Sequence, residues 1–361
     1  MASIDPQSDV VSLTAALVDI ESVSRNEAEI ADAVENALSA LPHLSVVRDG
    51  HTMVARTGLG RDERIVIAGH LDTVPVNKNL PSRQDDEFLH GLGSCDMKGG
   101  VAIALRLAAT VPEPVRDLTY VFYEAEEIEA KYNGLGRLAR EHPEWLEGDF
   151  AILMEASNAV VEAGCQGTLR FELITRGQRS HSARSWMGRN AIHAASPILA
   201  RLVEYEPRSP VIDGLTYREG LNAVGIGGGV AGNVVPDEAR VTVNFRFAPD
   251  RSADDALAHV REVFDGFELE VTDLAPGARP GLDRPAAAAF VDAVGGEANP
   301  KFGWTDVAQF TALGIPAVNY GPGDPSLAHT QEERVPLEHL RLVETRLRDW
   351  LSRPSNGPPE F

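Results

Sequence analysis

Acidic and histidine side chains follow several apolar segments of this sequence, at points where buried strands would end. The run RIVIAG, for example, leads directly into a histidine and, two positions later, an aspartate. Because ligands gather outside the carboxyl ends of the strands in a parallel sheet, these side chains are predicted to meet at one sheet edge. They are His70, Asp72, Asp96, Glu126, Glu127, Glu155 and His329.

The mixture of imidazole and carboxylate groups favours a zinc site, with cobalt or manganese as possible replacements. A pair of metal ions needs about five protein ligands if one of them is shared. The candidates are His70, Asp96, Glu127, Glu155 and His329. Glu126 is then left beside them as a carboxylate that is not a ligand, which is what a general base requires. Asp72 would accept the second ring N–H of His70 and so fix its tautomer.

Each of these residues, taken alone, also has an ordinary structural interpretation. The pair Glu126-Glu127 could be solvated, and Asp96 could cap the helix that follows it. Glu155 could be an exposed strand end and His329 a loop residue. Their shared position at strand-to-loop transitions favours the metal interpretation. Other histidines lack this context and are interpreted as structural or surface residues: His43, His51, His90, His142, His193, His259 and His339.

The segments around these residues indicate how they are positioned. Before Thr168, apolar runs alternate with segments of helical periodicity, which is typical of an α/β sheet with a parallel core. After it, strand-like segments and two amphipathic helices form a compact α+β pattern, and the linker APGARPGLDRP leads back to α/β texture. We therefore predict an α/β domain over residues 1–172 and 280–352, interrupted by an inserted α+β domain over 173–279. The tail 353–361 is predicted to be disordered.

The composition narrows the classes of partner. The chain has 361 residues, 43% of them hydrophobic, and a formal net charge of −21. Such a surface repels nucleic acid and anionic lipid, so we expect neither as a partner. We find no signal peptide and no apolar stretch near the ~18 residues of a membrane span. The two cysteines give no disulfide framework, and we therefore expect a cytoplasmic protein.

Five segments carry a resemblance to a known family: GHLDTVP, GLGSCDMKGG, YEAEEIEA, MEAS and GPGDPSLAHTQEE. In order, and over nearly the whole chain, they resemble the motifs of the dizinc metallopeptidases and deacylases. That family includes aminoacylase, acetylornithine deacetylase, carboxypeptidases and succinyl-diaminopimelate desuccinylase. The resemblance implies an α/β catalytic domain with a mixed, largely parallel sheet, interrupted by an α+β lid domain through which the chains commonly dimerise.

The resemblance also assigns roles to individual residues. It implies two zinc ions per chain, one held by His70, Asp96 and Glu155 and the other by Asp96, Glu127 and His329. Asp96 would then bridge the two ions, Glu126 would be the base, and His181 would cross from the lid of the partner subunit. The segments that line the family's substrate pocket contain Thr168, Asn233, Arg246, Gly303 and Thr305.

By this resemblance, His181 is the candidate donor to the oxyanion of a tetrahedral intermediate. Three arginines lie near it in the sequence and a fourth lies in the strand VNFRF; they are Arg179, Arg184, Arg189 and Arg246. An acidic chain that concentrates arginines there is predicted to bind a small anionic substrate, with Arg184 among its contacts. The alternative is that these arginines are surface residues.

Within the family, segments such as HSARSWMGRNAIH and KFGWTDVAQF resemble succinyl-diaminopimelate desuccinylases of the actinobacterial type. This likeness implies hydrolysis of N-succinyl-LL-2,6-diaminopimelate to succinate and LL-2,6-diaminopimelate, in lysine biosynthesis. The alternatives are a deacylase of the acetylornithine type, a dipeptidase, or an inactive relative that binds metal or peptide.

The sequence departs from the family pattern at three places. Glu155 precedes alanine where the family often has proline, and the usual Asp-Glu-Glu is replaced by Glu-Ala-Glu-Glu, ending at Glu127. The loop GCQGT carries no basic residue, whereas desuccinylases of other bacteria have basic residues there. The resemblance therefore leaves open how the acid groups of the substrate are bound.

Overall fold

The computed structural model describes residues 3–353, which form two compact units. The first unit comprises residues 3–163, 280–299 and 306–353 of the described chain, and the second comprises 164–279 and 300–305. The boundary predicted at residue 172 differs from this division because the strand that starts at Gly167 belongs to the sheet of the second unit. Of the tail predicted at 353–361, all but Arg353 lies outside the described residues.

The helices of the described chain, in order, are α1 (Val10–Val18), α2 (Ala28–Ser39), α3 (Gly99–Thr110), α4 (Gly134–Glu141), α5 (Ala191–Ala194), α6 (Ser196–Glu204), α7 (Ala253–Val263), α8 (Pro285–Val294), α9 (Val307–Ala312) and α10 (Leu337–Ser352). Short helical turns cover Ser94–Lys98, Pro143–Trp145, Ser182–Met187 and Pro325–Leu327.

The strands, in order, are β1 (Ser45–Asp49), β2 (Thr52–Arg56), β3 (Arg64–His70), β4 (Arg83–Gln84), β5 (Phe88–His90), β6 (Asp117–Tyr123), β7 (Phe150–Leu153), β8 (Val161–Ala163), β9 (Gly167–Arg176), β10 (Ser180–His181), β11 (Val211–Ile212), β12 (Leu215–Thr216), β13 (Gly220–Gly228), β14 (Val234–Val235), β15 (Glu238–Phe247), β16 (Glu268–Ala275), β17 (Ala298–Pro300), β18 (Ala317–Asn319) and β19 (Arg334–Pro336).

The first unit is built on an eight-stranded sheet with the order β1-β2-β6-β3-β7-β18-β8-β17. Its central strands β6, β3, β7 and β18 are parallel, whereas β1, β2 and β8 are antiparallel to their neighbours. Strands β3, β6 and β7 are buried along almost their whole length, which explains their unbroken apolar sequences. The predicted fold class, an α/β domain with a mixed, largely parallel sheet, is confirmed. The carboxyl ends of the four central strands lie at one edge.

Helix α3 supports this edge from within the first unit. It begins directly after the turn Ser94–Lys98 and is buried on nearly all sides, where it packs against α1, α10 and β3. Helix α1 begins after Asp9, whose carboxylate accepts the backbone N–H groups of Val11 and Ser12 and so satisfies two donors of the first turn. The burial of α3 holds the preceding turn close to the end of β3.

The second unit is an α+β layer, as the sequence predicted for the inserted domain. Its four-stranded antiparallel sheet has the order β13-β15-β9-β16. Strand β15 alternates between buried and partly exposed residues, and its inward side chains, such as Phe245, pack with Ile198 of α6 and Val260 of α7. The opposite face of the sheet carries ion pairs, among them Arg240 with Glu172 at 2.6 Å.

One predicted helix is wrong in its extent. The first of the two amphipathic helices predicted for the inserted domain, over the segment NAIHAASPILARLVEYE, is divided into α5 and α6 with Ala195 between them. Pro197 lies at the start of α6, and proline has no backbone N–H to continue the hydrogen bonding of a preceding helix.

Among the described helices, none combines the length and apolar character needed to cross a membrane.

Candidate metal centre

Three potential ligands converge at the carboxyl edge of the central strands. His70 is the last residue of β3, Asp96 lies in the turn before α3, and Glu127 follows β6; their ligand atoms all lie within 4.8 Å of one another. His329 follows β18. Its Nε2 lies 2.9 Å from Oε1 of Glu127 and 3.3 Å from Oδ2 of Asp96, whose Oδ1 lies 3.2 Å from Nε2 of His70. Asp96 therefore presents one carboxylate oxygen to each histidine.

The chemistry of this donor set fits a metal ion. Two carboxylates and two imidazoles supply the oxygen and nitrogen ligands that zinc, cobalt and manganese accept. Hydrogen bonds that His329 donates to the carboxylate of Asp96 and then to that of Glu127 raise the pKa of His329 to about 10. Burial opposes protonation of His70, but hydrogen bonds to Asp72 and Asp96 outweigh it and raise its pKa well above the usual value. The centre is therefore strongly attractive to positive charge, and a bound metal ion would displace these protons.

Glu155 lies at the same edge, just after the neighbouring strand β7. Ala68 of β3 pairs with Leu153 of β7 in parallel register, so Glu155 follows the end of β7 at the level where His70 ends β3. The side chain of Glu155 is buried, with 7% exposure. The strand order and register therefore place Glu155 at the same sheet edge as His70.

Two glycines enclose the backbone that leads into Glu155. A Cβ atom on Gly100, in the first turn of α3, would overlap the carbonyl oxygen of Met154. A Cβ atom on Gly321, just after β18, would overlap the carbonyl oxygens of both Met154 and Glu155. The two segments can approach this closely because neither glycine has a side chain.

Asp72 holds the chain that carries the two glutamates. Its carboxylate is fully buried and accepts the backbone N–H groups of Glu126 at 3.0 Å and Glu127 at 3.1 Å. It also accepts the hydroxyl of Ser24 at 2.7 Å. Burial alone would raise the pKa of Asp72, but the contact with His70 and these hydrogen bonds lower it. The carboxylate is therefore ionised and fixes the turn after β6.

The contact between Asp72 and His70 differs in detail from the prediction. Nδ1 of His70 lies 3.0 Å from the backbone carbonyl oxygen of Asp72 and 3.5 Å from its carboxylate. The carbonyl oxygen is the closer acceptor, because the carboxylate is directed towards the turn after β6. The sequence indicated that Asp72 supports His70, but its role in the turn had no signal in the sequence.

Glu126 has the properties of an acid–base group. The preceding Ala125 has a φ of 58°, a left-handed conformation that turns the chain sharply after β6. Burial, followed by the negative charges of Glu155, Asp306 and Glu127, raises the pKa of Glu126 well above the usual value, although His70 opposes the shift. A raised pKa makes the carboxylate a stronger proton acceptor, and such a group can take up a proton and later release it.

The remaining predicted residues belong to the second unit. His181 of β10 pairs with Val234 of β14, and the backbone N–H of Ser182 donates to the carbonyl oxygen of Asn233 at 2.9 Å. Nδ1 of His181 accepts the N–H of Ala183 at 3.1 Å. In the neutral ring the proton is therefore on Nε2, where the exposed side chain can donate it.

Two more predicted substrate residues lie opposite each other in the four-stranded sheet of the second unit. Thr168 of β9 lies opposite Arg246 of β15, and Asn244 donates to the hydroxyl of Thr168 at 3.1 Å. Gly303 and Thr305 lie in the segment 300–305, while Arg184 is exposed in the turn that follows His181.

The arginines predicted near His181 differ in their partners. Arg179 forms an ion pair with Asp237 in which Nε lies 2.7 Å from Oδ1, so its charge is already compensated within the second unit. Arg184 and Arg189 are exposed. The sequence analysis grouped Arg179 with the arginines near His181 and took no account of Asp237, which pairs with it.

Residues 66–352 match the model of peptidase family M20/M25/M40. The chain belongs to this family. Two M20 relatives cover almost its full length. The first is 57% identical over 351 residues, covers 96% of this chain and 99% of its own, and is named "Putative succinyl-diaminopimelate desuccinylase DapE" in Mycobacterium tuberculosis. The second, the succinyl-diaminopimelate desuccinylase of Corynebacterium glutamicum, is 47% identical, with 97% and 98% of the two chains covered.

Solved structures show the same M20 fold. A tripeptidase from Staphylococcus aureus superposes with a TM-score of 0.79 at 22% identity and covers 96% of this chain and 98% of its own. The YXEP protein of Bacillus subtilis, described as a dinuclear metal binding peptidase from the M20 family, has a TM-score of 0.67 at 19% identity, with 94% and 96% covered. The family resemblance predicted from the motifs is thus confirmed.

Proposed function

We propose that the protein hydrolyses the amide bond of N-succinyl-LL-2,6-diaminopimelate and releases succinate and LL-2,6-diaminopimelate. The relatives that are 57% and 47% identical over nearly the whole chain carry the name of this activity. The observation that supports metal-dependent hydrolysis most directly is the position of Asp96, with one oxygen 3.2 Å from His70 and the other 3.3 Å from His329. A carboxylate in this position can bridge two metal ions.

The proposed cofactor is a pair of zinc ions, which cobalt or manganese could replace. His70, Asp96 and Glu155 would hold one ion, and Asp96, Glu127 and His329 would hold the other. Bound metal ions of this kind lower the pKa of water and polarise a carbonyl group. The described B. subtilis structure of the same fold, a dinuclear peptidase, supports two ions.

The proton transfers are assigned to Glu126. It would take the proton of the attacking water and pass it to the leaving amine, and its raised pKa suits both steps. Asp72 would keep Glu126 in place through the turn that it holds. This assignment leaves Glu127, the next residue, free to act as a ligand.

The substrate contacts are proposed in the second unit. Nε2–H of His181 would donate to the oxyanion, and the family resemblance suggests that it does so across a homodimer. Polar side chains and backbone groups of the second unit would bind the anionic substrate. They belong to Thr168, Arg184, Asn233, Arg246, Gly303 and Thr305.

Exposed apolar residues of the second unit support the dimer. Strand β13 is the edge strand of its sheet, and its residues Val224 and Ile226 are exposed by 61% and 59%. Helix α6 exposes Val203 by 86%. An unpaired strand edge beside exposed apolar side chains is a surface suited to a second chain.

We also propose that the protein is cytoplasmic, because its two cysteines provide no disulfide framework.

A substrate comparison tests the proposal. The purified, zinc-loaded protein is assayed in parallel with N-succinyl-LL-2,6-diaminopimelate, N-acetylornithine and a dipeptide. We expect kcat/KM to be highest for the succinyl substrate, with EDTA abolishing the activity and zinc restoring it. A preference for acetylornithine or the dipeptide would assign the protein to a neighbouring activity, and no hydrolysis of any amide would identify an inactive relative.

A further inference from the structure

We propose that Glu333 is a positioning residue of the metal centre, because its carboxylate holds the backbone of the turn that presents Asp96. Oε1 of Glu333 accepts the backbone N–H groups of Cys95 and Asp96, each at 3.2 Å. The N–H of Gly93 donates to the same carboxylate. One side chain, only 2% exposed, thus binds three donors in four consecutive residues.

This turn needs an external support because it is not a regular helix. Asp96 has φ and ψ of −121° and 90°, and Met97 has −133° and 35°, both far from helical values. The ordinary i to i−4 hydrogen bonds of a helix therefore do not fix the direction of the Asp96 side chain. The hydrogen bond from the Asp96 N–H to Glu333 acts on the residue that must face both His70 and His329.

The same segment connects two of the predicted ligands. Glu333 follows His329 by four positions, and its own carbonyl oxygen accepts the N–H of Gly91 at 3.1 Å. Immediately afterwards, β19 pairs with β5, with Arg334 opposite His90. The backbone and the side chain of Glu333 therefore join the chain that carries His329 to Gly91, just before the turn, and to Cys95 and Asp96 within it. A displacement of either chain would change the distance between the two ligands.

The burial of Glu333 also points to a role beyond packing. A buried carboxyl group costs free energy unless its oxygens are hydrogen-bonded. Here the backbone N–H groups of Cys95 and Asp96 supply these hydrogen bonds, each at 3.2 Å, so the position of the side chain and that of the turn depend on each other. Loss of a hydrogen bond that orients a metal ligand typically weakens metal affinity by about 10–100-fold.

Asp117 provides a matched control. It is also a buried carboxylate that holds a loop, since it accepts the N–H groups of Leu59 and Arg61, each at 2.9 Å, and the hydroxyl of Thr57 at 2.6 Å. It lies at the opposite end of β6 from the glutamates of the centre. Its removal should therefore weaken the fold without touching the ligands.

The test measures metal binding in Glu333→Gln, Glu333→Ala and Asp117→Asn, and the inference rests on the proposed metal centre. Zinc content per chain and zinc affinity, by chelator competition, are compared with the wild type, together with the absorption spectrum of the cobalt-loaded proteins. We expect about 10–100-fold weaker binding in Glu333→Ala, a smaller loss in Glu333→Gln, which keeps one acceptor oxygen, and a changed cobalt spectrum in both. Asp117→Asn should lose stability but keep the affinity and spectrum.

The outcomes separate the two proposals. If the wild type binds zinc tightly and the Glu333 variants keep its affinity and cobalt spectrum, Glu333 is not a positioning residue, although the proposed function stands. If the wild type itself holds no metal at this centre, both proposals fail. Should Glu333→Ala not fold, the isosteric Glu333→Gln decides the question by the same two measurements.

Discussion

Two buried carboxylates in this protein each hold a stretch of backbone next to predicted metal ligands. Asp72 accepts two N–H groups from the turn after β6 and contacts His70, and Glu333 accepts N–H groups from the turn before α3. Each therefore transmits a change in one loop to a predicted metal ligand in another. A substitution at either position should be judged by metal binding and activity, not by stability alone.

The base assignment predicts a separation of metal binding from turnover. Glu126→Gln keeps the shape of the side chain but removes its proton acceptor, so metal content should stay near that of the wild type. Turnover should fall by about 10²–10⁴-fold. Zinc analysis and steady-state kinetics on the same preparation measure both. A loss of zinc with unchanged turnover per bound zinc would show that Glu127, and not Glu126, is the base.

The position of Asp96 between two histidines predicts unequal effects of two ligand substitutions. Asp96→Ala should reduce binding of both metal ions, since one oxygen faces His70 and the other His329. His329→Ala should weaken mainly one ion. Metal stoichiometry by elemental analysis, after dialysis against a weak chelator, distinguishes them. Equal loss of a single ion in both variants would contradict a bridging Asp96.

At the scale of the elements, the sequence predicted the strands better than their supports. β3, β6 and β7 could be recognised because strands buried on both faces need continuous apolar residues, and their order in a parallel sheet then placed His70, Glu127 and Glu155 at one edge. The contacts of Asp72 and Glu333 could not be recognised, because they depend on backbone N–H groups of residues distant in sequence. The break between α5 and α6 did have a signal in the sequence, Pro197, which the prediction of a single helix did not use.

The amino end of β6 gives a prediction about pH. Burial raises the pKa of Asp117, but the Thr57 hydroxyl, two backbone N–H groups and Arg64 outweigh it and lower the pKa below the usual 3.8. A carboxyl group with a lowered pKa in the folded state stabilises the protein above the pKa of the unfolded chain, and this contribution disappears as the pH falls through the folded pKa. Asp117→Asn should therefore reduce the free energy of unfolding at pH 7 by about 1.5–3 kcal/mol.

The difference in the free energy of unfolding between the wild type and Asp117→Asn should shrink as the pH falls below about 5. In that range Asp117 begins to take up a proton in the unfolded wild type. Urea unfolding of the metal-free wild type and Asp117→Asn at a series of pH values measures it, and the metal-free state removes any effect of ligand protonation. A difference that stays constant down to the acid limit of the fold would mean that the hydrogen-bonding shape of Asp117, and not its charge, is what stabilises the loop.

At the scale of the whole molecule, the two units carry different parts of the proposed reaction. The predicted metal ligands and base are all in the first unit, and the predicted oxyanion donor and all the predicted substrate contacts are in the second. The second unit also exposes the strand edge of β13 and apolar residues of α6. If two chains pair through this surface, the activity of one chain depends on the other, which can be measured by mixing variants.

Mixing two inactive variants tests this dependence. His181→Ala should keep its metal ions and lower kcat by about 10²–10³-fold, the typical effect of removing one oxyanion donor. A heterodimer with Glu126→Gln would contain one active site with both an intact Glu126 and an intact His181 from the partner, so activity should return after subunit exchange. Exchange without recovery, followed with differently tagged chains, would place the action of His181 within its own chain.

Gly100 and Gly321 set a limit on how sequences of this fold can diverge. Any larger residue at either position would overlap a carbonyl oxygen of Met154 or Glu155 and would push apart the first turn of α3, the end of β7 and the chain after β18. Even alanine is therefore not accepted at either position without a shift of the backbone. A change of substrate specificity must therefore come from substitutions at other positions. Such substitutions leave the close contact of α3, β7 and the chain after β18 intact, and with it the positions of the predicted metal ligands.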